Sequence, residues 1–131
     1  MKKYIVLLLI SIFAVTGCSK SSDDITMTIK EGTLTSTGAT LIIKDTSGDK
    51  NTFGDWYRID KKEKNKWMEQ QPIIENYGFN LMGYLIDENN EVVLNTDWEW
   101  LYGRLPTGEY RIVKAMTDGS EIYAEFTIIE E

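Results

Sequence analysis

The sequence contains no histidine, and only one of its 131 residues is a cysteine. Histidine is the commonest general base near neutral pH and the commonest metal ligand, so its absence excludes a serine triad that depends on it. A single cysteine allows no disulfide within the chain, so a folded domain must be stable through packing alone. The sequence also lacks a glycine-rich phosphate loop and a dinucleotide-binding fingerprint. We therefore predict a protein that is not an enzyme and that uses no cofactor and no metal.

Basic residues are also scarce. The chain has 14 lysines and arginines against 21 aspartates and glutamates, which gives a formal charge of −7. Nucleic acid is a polyanion and requires a basic surface on the protein that binds it. The acidic balance therefore predicts no nucleic-acid partner.

The one long apolar run lies near the start, in "MKKYIVLLLISIFAVTGC". Two lysines precede the apolar run at Ile5–Val15 and small residues follow it, which is typical of a secretion signal. The run is about half of the roughly 20 residues that a transmembrane helix needs. Residues 1–17 are therefore predicted to be a signal peptide.

The residues that end this segment, Val15-Thr16-Gly17-Cys18, resemble the lipobox of bacterial lipoproteins. In that family a diacylglyceryl group is joined to the cysteine thiol, and cleavage leaves that cysteine first. The resemblance implies lipid attachment at Cys18 and an extracytoplasmic lipoprotein, anchored in the membrane at the cell surface or the periplasmic face. Residues 18–24 would then be the lipidated cysteine and a polar tether. Cleavage removes two lysines and no acidic residue, so the formal charge becomes −9.

Beyond the tether, apolar residues alternate with polar ones, as half-buried β-strands require. Turn residues separate these short stretches, and Asp118-Gly119 predicts a hairpin between the last two. The predicted strands are ITMTIK, ATLIIKDT, DWYRIDKK, KWMEQ, EVVLNTDW, GEYRIVKAM and EIYAEFTII. About seven antiparallel strands over residues 25–131 predict an all-β sandwich or barrel. Helix is expected only as a short turn near Trp98–Tyr102.

Two longer patterns resemble a known family. The stretch FGDWYRIDKKEKNKW and the later stretch DWEWLYGRLPTGEYRIVK are similar to a bacterial immunoglobulin-like domain of exported proteins and lipoproteins. The likeness extends from about Leu34 to Ile129 and is most specific at Asp97–Gly103 and Leu105–Ile112. Residues 87–91 read DENNE, where members often carry a Pro-Gly turn. The resemblance implies an antiparallel immunoglobulin-like β-sandwich and implies no shared reaction.

The segment TDWEWLYGRLPTGEYRIV is predicted to be first a structural corner. Leu105, Pro106 and Gly108 are expected to turn the chain, and Tyr110 resembles the tyrosine corner of sandwich folds, whose hydroxyl bonds to upstream backbone. In a helical turn the side chains of Trp98 and Trp100 diverge by about 200°. One ring is then expected to cap the core while the other is partly exposed.

Aromatic side chains are also the candidates for a binding surface, because exposed aromatic loops often bind partners. The candidate residues are Trp98, Trp100, Tyr102, Tyr77 and Phe79. Trp56 and Tyr57 are adjacent in a predicted strand, so only one of the two is expected to face the core.

Two patterns of acidic side chains are candidates for chemical sites. Residues 45–51 alternate oxygen-bearing side chains as a calcium loop does, but Lys50 stands where such a loop needs glycine, and a solvated loop is preferred. Asp97 and Glu99 flank Trp98, and a pair of carboxylates lined by aromatic rings is typical of glycosidase active sites. A cap at the start of a helical turn is the preferred role for this pair.

These observations favour a non-enzymatic, lipid-anchored envelope protein that presents its domain for binding an envelope or extracellular protein or a glycan. One alternative is an inhibitor of an exported hydrolase such as a protease, in which loops or a strand edge occupy the target's cleft. A less favoured alternative is a carbohydrate-active enzyme that uses Asp97 and Glu99.

The lipobox generates the first prediction. Cys18→Ala should abolish acylation and release or mislocalise the protein without unfolding the domain, because a polar tether separates the lipid from the core. Metabolic labelling with an alkyne fatty acid measures acylation, and a thermal melt measures folding. Label that persists on the Cys18→Ala protein would refute the lipoprotein assignment.

Overall fold

The computed structural model describes residues 24–49, 51–79, 83–85, 89–116 and 119–130. The predicted signal peptide, Cys18 and the tether up to residue 23 lie outside these residues, as do residues 117 and 118 of the predicted hairpin. The elements are β1 (Ile25–Ile29), β2 (Gly38–Asp45), β3 (Thr52–Phe53), β4 (Arg58–Glu63), β5 (Lys66–Glu69), β6 (Tyr84–Leu85), β7 (Glu91–Asp97), α1 (Glu99–Tyr102), β8 (Gly108–Ala115) and β9 (Glu121–Ile128). No helix in this part of the chain is long and apolar enough to span a membrane.

Seven of these strands form two antiparallel sheets. One sheet has three strands in the order β1-β2-β7, and the other has four in the order β5-β4-β8-β9. The sheets share no ladder among the described residues, so the fold is a sandwich and not a closed barrel. The predicted all-β sandwich of about seven strands is confirmed. The two-residue strands β3 and β6, which pair with each other, are too short to show any alternation in the sequence.

Alternation along the strands brings one face of each sheet into a common core. In β9 every second side chain from Ile122 to Ile128 is buried, and the side chains between them are half-buried or exposed. The three-stranded sheet contributes Met27, Leu41, Ile43, Val92 and Leu94, and the four-stranded sheet contributes Ile59, Tyr110, Ile112, Ala124 and Phe126. Each large apolar side chain buried in this way contributes roughly 1.5–3 kcal/mol.

The outer face of the four-stranded sheet carries a charged layer. The carboxylate of Asp60 is buried between Arg58 and Arg111, with N···O distances of 3.0 and 2.8 Å. The Arg111 guanidinium lies 4.7 Å from the ring centroid of Trp67 and 5.1 Å from that of Tyr123. Because both arginines cover the carboxylate, Asp60 is paired as a buried charge must be.

The hairpin of β4 and β5 turns through Lys64 and Asn65, which both have positive φ, at 52° and 65°. This two-residue connection matches the primed turns that antiparallel hairpins favour. Because β4 begins at Arg58, the prediction of a strand over DWYRIDKK is wrong for its first three residues. Tyr57 is nevertheless buried and Trp56 exposed.

A corner joins α1 to β8. Tyr110 is buried, and its hydroxyl donates to the carbonyl oxygen of Pro106 at 2.7 Å, which is the geometry of a tyrosine corner. The left-handed residue in this corner is Gly103, with φ of 74°, whereas Gly108 is already the first residue of β8. The absence of a side chain at Gly108 allows Lys61 and Tyr110 to pack against its backbone, because a Cβ there would lie 2.9 Å from Lys61 Cε and 3.3 Å from Tyr110 Cε2.

The corner generates the second prediction. Tyr110→Phe should lower the free energy of unfolding by roughly 1–3 kcal/mol, because the Pro106 carbonyl loses a buried donor. Tyr123→Phe is the matched control, since the Tyr123 hydroxyl has no hydrogen-bond partner among the described residues and its ring keeps the contact with Arg111. Urea denaturation of both variants measures the difference. Equal midpoints for the two variants would contradict the corner's role in stability.

Candidate binding site

Aromatic rings from three parts of the chain meet around Phe79. Its ring centroid lies 5.4 Å from that of Tyr57, 6.2 Å from that of Tyr77 and 5.8 Å from that of Trp100, all in edge-to-face contact. Tyr57 also contacts Tyr102, at 6.4 Å. The structure thus brings four of the five candidate aromatic residues into one cluster, together with Tyr57, and we call these five rings the aromatic cluster.

The fifth candidate, Trp98, lies in the core and not on the surface. It is fully buried, and its ring stacks on Phe126 with a centroid distance of 5.3 Å. Its indole N–H donates to the carbonyl oxygen of Ser36 at 2.9 Å, and its backbone N–H donates to Thr37 at 2.9 Å. Trp98 is therefore a structural residue.

The short helix α1 explains why the two tryptophans face opposite ways. Trp98 precedes α1 and points inward, whereas Trp100 lies within it and is 42% exposed. The Asp97 carboxylate accepts a hydrogen bond from the Glu99 N–H at 2.9 Å, which holds the turn before α1. The N-cap residue of α1 is Trp98, which makes no side-chain cap hydrogen bond, so the predicted cap by Asp97 is displaced by one residue. Because the helical turn separates the rings, Trp100 reaches Phe79 while Trp98 fills the core.

Three rings of the aromatic cluster, those of Tyr57, Phe79 and Trp100, line a cleft of about 650 Å³. Residues 93–97 of β7 form one wall of the cleft. Gly78, four aromatic residues and two charged ones complete the lining, and the latter six are Tyr57, Phe79, Tyr84, Trp100, Asp55 and Lys114. The volume of the cleft lies within the range of ligand pockets, but its lining is more polar than that of most small-molecule sites.

The backbone of β7 is open toward this cleft, because β7 is an edge strand of the three-stranded sheet. Hydrogen bonds from Asp45 N–H to Asn90 and from Trp98 N–H to Thr37 fix which residues of the ladder bond to β2. Since alternate residues of an antiparallel strand bond to the same neighbour, Val93 and Asn95 direct their N–H and C=O groups outward. These groups have no backbone partner among the described residues.

Tyr57 closes the Asp97 end of this edge. Its hydroxyl donates to the Asp97 carbonyl oxygen at 3.4 Å. Burial raises the pKa of Tyr57, so the hydroxyl stays protonated as a donor at neutral pH. The open part of the edge therefore lies between Glu91 and Asp97.

Lys114 is a buried cation at the inner end of the cleft. It is 2% exposed, and its ammonium donates to the carbonyl oxygen of Trp56 at 3.0 Å. Burial lowers the pKa of Lys114 to about 8, against the opposing effect of the nearby Asp55 carboxylate. Asp55 also accepts a hydrogen bond from the Tyr84 side chain, which raises the pKa of that phenol.

The acidic patterns weighed in the sequence do not form chemical sites in the described residues. The Asp45 carboxylate accepts hydrogen bonds from the backbone and side chain of Ser47 and from the Asn51 side chain. Burial alone would raise the pKa of Asp45, but these bonds hold it below its usual value. No group of three or more acidic, cysteine or histidine side chains placed to hold a metal occurs in this part of the chain.

Asp97 and Glu99 do not converge on the cleft. Asp97 lines it, but Glu99 lies outside the lining, and the contact between the two is the backbone-to-carboxylate hydrogen bond described above. The carboxylate on the opposite wall is Asp55, which sequence reasoning did not select.

Sequence reasoning also missed Tyr84, Lys114 and the open edge of β7. Lys114 falls at an inward position of the alternation in GEYRIVKAM, since Tyr110, Ile112 and Met116 are buried at the same spacing. A lysine on the apolar side of a strand pattern is the signal that identifies it.

Lys114 generates the third prediction. The ordinary pKa of lysine is about 10.4, so between pH 8 and 10.4 the unfolded chain binds more protons, and stability rises with pH. The free energy of unfolding should increase by about 2 kcal/mol from pH 7 to pH 9.5 relative to that of Lys114→Met. Denaturation of both proteins at both pH values measures this increase. Subtracting the change in Lys114→Met removes the contribution of tyrosine titration, because both proteins contain the same tyrosines. If the difference in free energy of unfolding between the wild type and Lys114→Met did not change with pH, the lowered pKa of Lys114 would be contradicted.

The fold and the comparison with known families agree. A family model described as a bacterial Ig-like domain matches residues 21–127, most of the chain. No curated protein and no solved structure matches it. Domains of this family are generally non-catalytic binding or interaction modules, and they typically occur in extracellular or surface proteins. The chain belongs to the bacterial Ig-like domain family.

Proposed function

We propose that the protein is a non-enzymatic, lipid-anchored module of the cell envelope that binds an envelope or extracellular ligand in the cleft beside β7. The observation that carries this proposal is the cleft of about 650 Å³, bordered by rings of the aromatic cluster on one side and on the other by a strand edge that has no ladder partner among the described residues. Lipid attachment at Cys18 would hold this module at the membrane surface, because each acyl methylene buried in the bilayer contributes roughly 0.8 kcal/mol to the binding free energy.

Exposed aromatic side chains support a binding role. Tyr77 and Trp100 are both more than 40% exposed, although each packs against Phe79. Large rings held in place by a neighbour lose little conformational entropy when a ligand covers them, and such residues dominate binding energies. The aromatic cluster is therefore suited to be the main source of affinity.

The geometry favours this role over the two alternatives. An inhibitor inserts a projecting loop or edge into its target, whereas the open edge of β7 forms one wall of a cleft and is suited to receive a segment. A carbohydrate-active enzyme that uses Asp97 and Glu99 would need both carboxylates in the cleft, and only Asp97 lines it.

The test compares two tryptophans of nearly equal exposure. Trp100 is 42% exposed and lines the cleft, and Trp56 is 40% exposed and does not. Trp100→Ala should reduce retention of the ligand from an envelope fraction by about tenfold, as loss of a binding hot spot does, while Trp56→Ala should leave it unchanged. Quantitative mass spectrometry of the retained components measures the ratio. Equal retention by both variants would contradict the cleft as the binding site.

A further inference from the structure

Between its charged end residues, Glu91 and Asp97, β7 has neither proline, charge nor bulge, three of the features by which proteins protect sheet edges. Residues 92–96 include no proline and no charged side chain, and the ladder with β2 runs without a bulge from Glu91 to Asp97. Val93, at the centre of the exposed edge, is 54% exposed. A strand of this length left open inside a cleft presents a ready surface for pairing with another strand.

The backbone groups on this edge define the kind of ligand that completes it. Val93 and Asn95 each present one N–H donor and one C=O acceptor on the same side, two residues apart. An extended polypeptide offers acceptors and donors at this spacing, about 6.8 Å. The Asn95 side chain does not block the edge, because its Oδ1 accepts a hydrogen bond from Thr40 on the neighbouring strand, at 2.8 Å.

Charge around the cleft favours a basic partner. Two acidic residues, Asp55 and Asp97, line the cleft. The basic lining residue, Lys114, is buried and already donates to the carbonyl oxygen of Trp56. The whole chain adds a formal charge of −7, so an acidic segment would be repelled and a basic one attracted.

We propose that the ligand is an extended polypeptide segment carrying lysine or arginine, which pairs with β7 through Val93 and Asn95 as a fourth strand of the three-stranded sheet. Residues 93–97 of β7 line the cleft, so the segment that pairs there spans about five residues. Its side chains on one face contact the aromatic cluster. This inference rests on the proposed function, and it names the class of ligand for that same site.

The probe is a synthetic seven-residue peptide that alternates valine and threonine, with lysine at both ends. Titration of the isotope-labelled protein should slow hydrogen exchange at the Val93 and Asn95 amides by about tenfold, because these amides gain partners. The Leu94 and Thr96 amides, which face β2, should change little. A twin peptide with glutamate at both ends should bind about tenfold more weakly.

Two variants of one exposed residue separate backbone pairing from side-chain contact. Val93→Pro removes the outward N–H and is compatible with an edge strand, whereas Val93→Thr keeps it. Val93→Thr should bind the lysine peptide as the wild type does, and Val93→Pro about tenfold more weakly. Thermal melts show whether Val93→Pro folds. If it does not, a peptide methylated at every backbone nitrogen replaces it, and that peptide should not bind the wild type.

Three results would overturn strand addition. They are equal binding by the two Val93 variants, undiminished binding of the methylated peptide, and exchange at Val93 and Asn95 that no concentration of lysine peptide slows. Retention of an envelope component that still depends on Trp100 would then leave the proposed function standing. Loss of that dependence as well would remove both proposals.

Discussion

Burial of Trp98 is the constraint on which the corner, the helix and the cleft all depend. Its ring stacks on Phe126, and Phe126 in turn stacks on Tyr110 with a centroid distance of 5.6 Å, so one column of rings joins the end of β7 to the start of β8. The indole N–H holds the loop at Ser36 to the same column. With Trp98 fixed inward, the next helical turn must direct Trp100 outward, and this places Trp100 against Phe79.

The aromatic cluster and the open edge of β7 are adjacent for the same reason. β7 ends one residue before Trp98, so the open strand edge leads directly to the helix that carries Trp100. Tyr57 links the two by donating to the carbonyl oxygen of Asp97 and packing against Phe79. A ligand strand along β7 therefore meets aromatic rings without any rearrangement of the core.

Local patterns predict the fold well and the site only in part. The seven longer strands are visible because alternation is a local property, and Tyr110 and the two tryptophans could be placed from spacing within one segment. The cleft joins residues far apart in sequence, such as Asp55, Val93 and Lys114. An open edge depends on which strands are neighbours, and strand order is a long-range property that alternation does not encode. For this reason Phe79 and Trp100 were selected as aromatics, while their contact was not predicted.

The strand order also bears on how the proposed anchor and the proposed site coexist. The tether would enter the domain at β1, which is the edge of the three-stranded sheet opposite to β7. Two strand spacings of about 4.8 Å separate the two edges of this sheet. With the proposed lipid attachment at Cys18, a tether of about six residues would reach about 20 Å at most and would hold the cleft near the membrane surface. The acidic charge repels an anionic bilayer, and it leaves the open edge accessible to a basic segment arriving from solution.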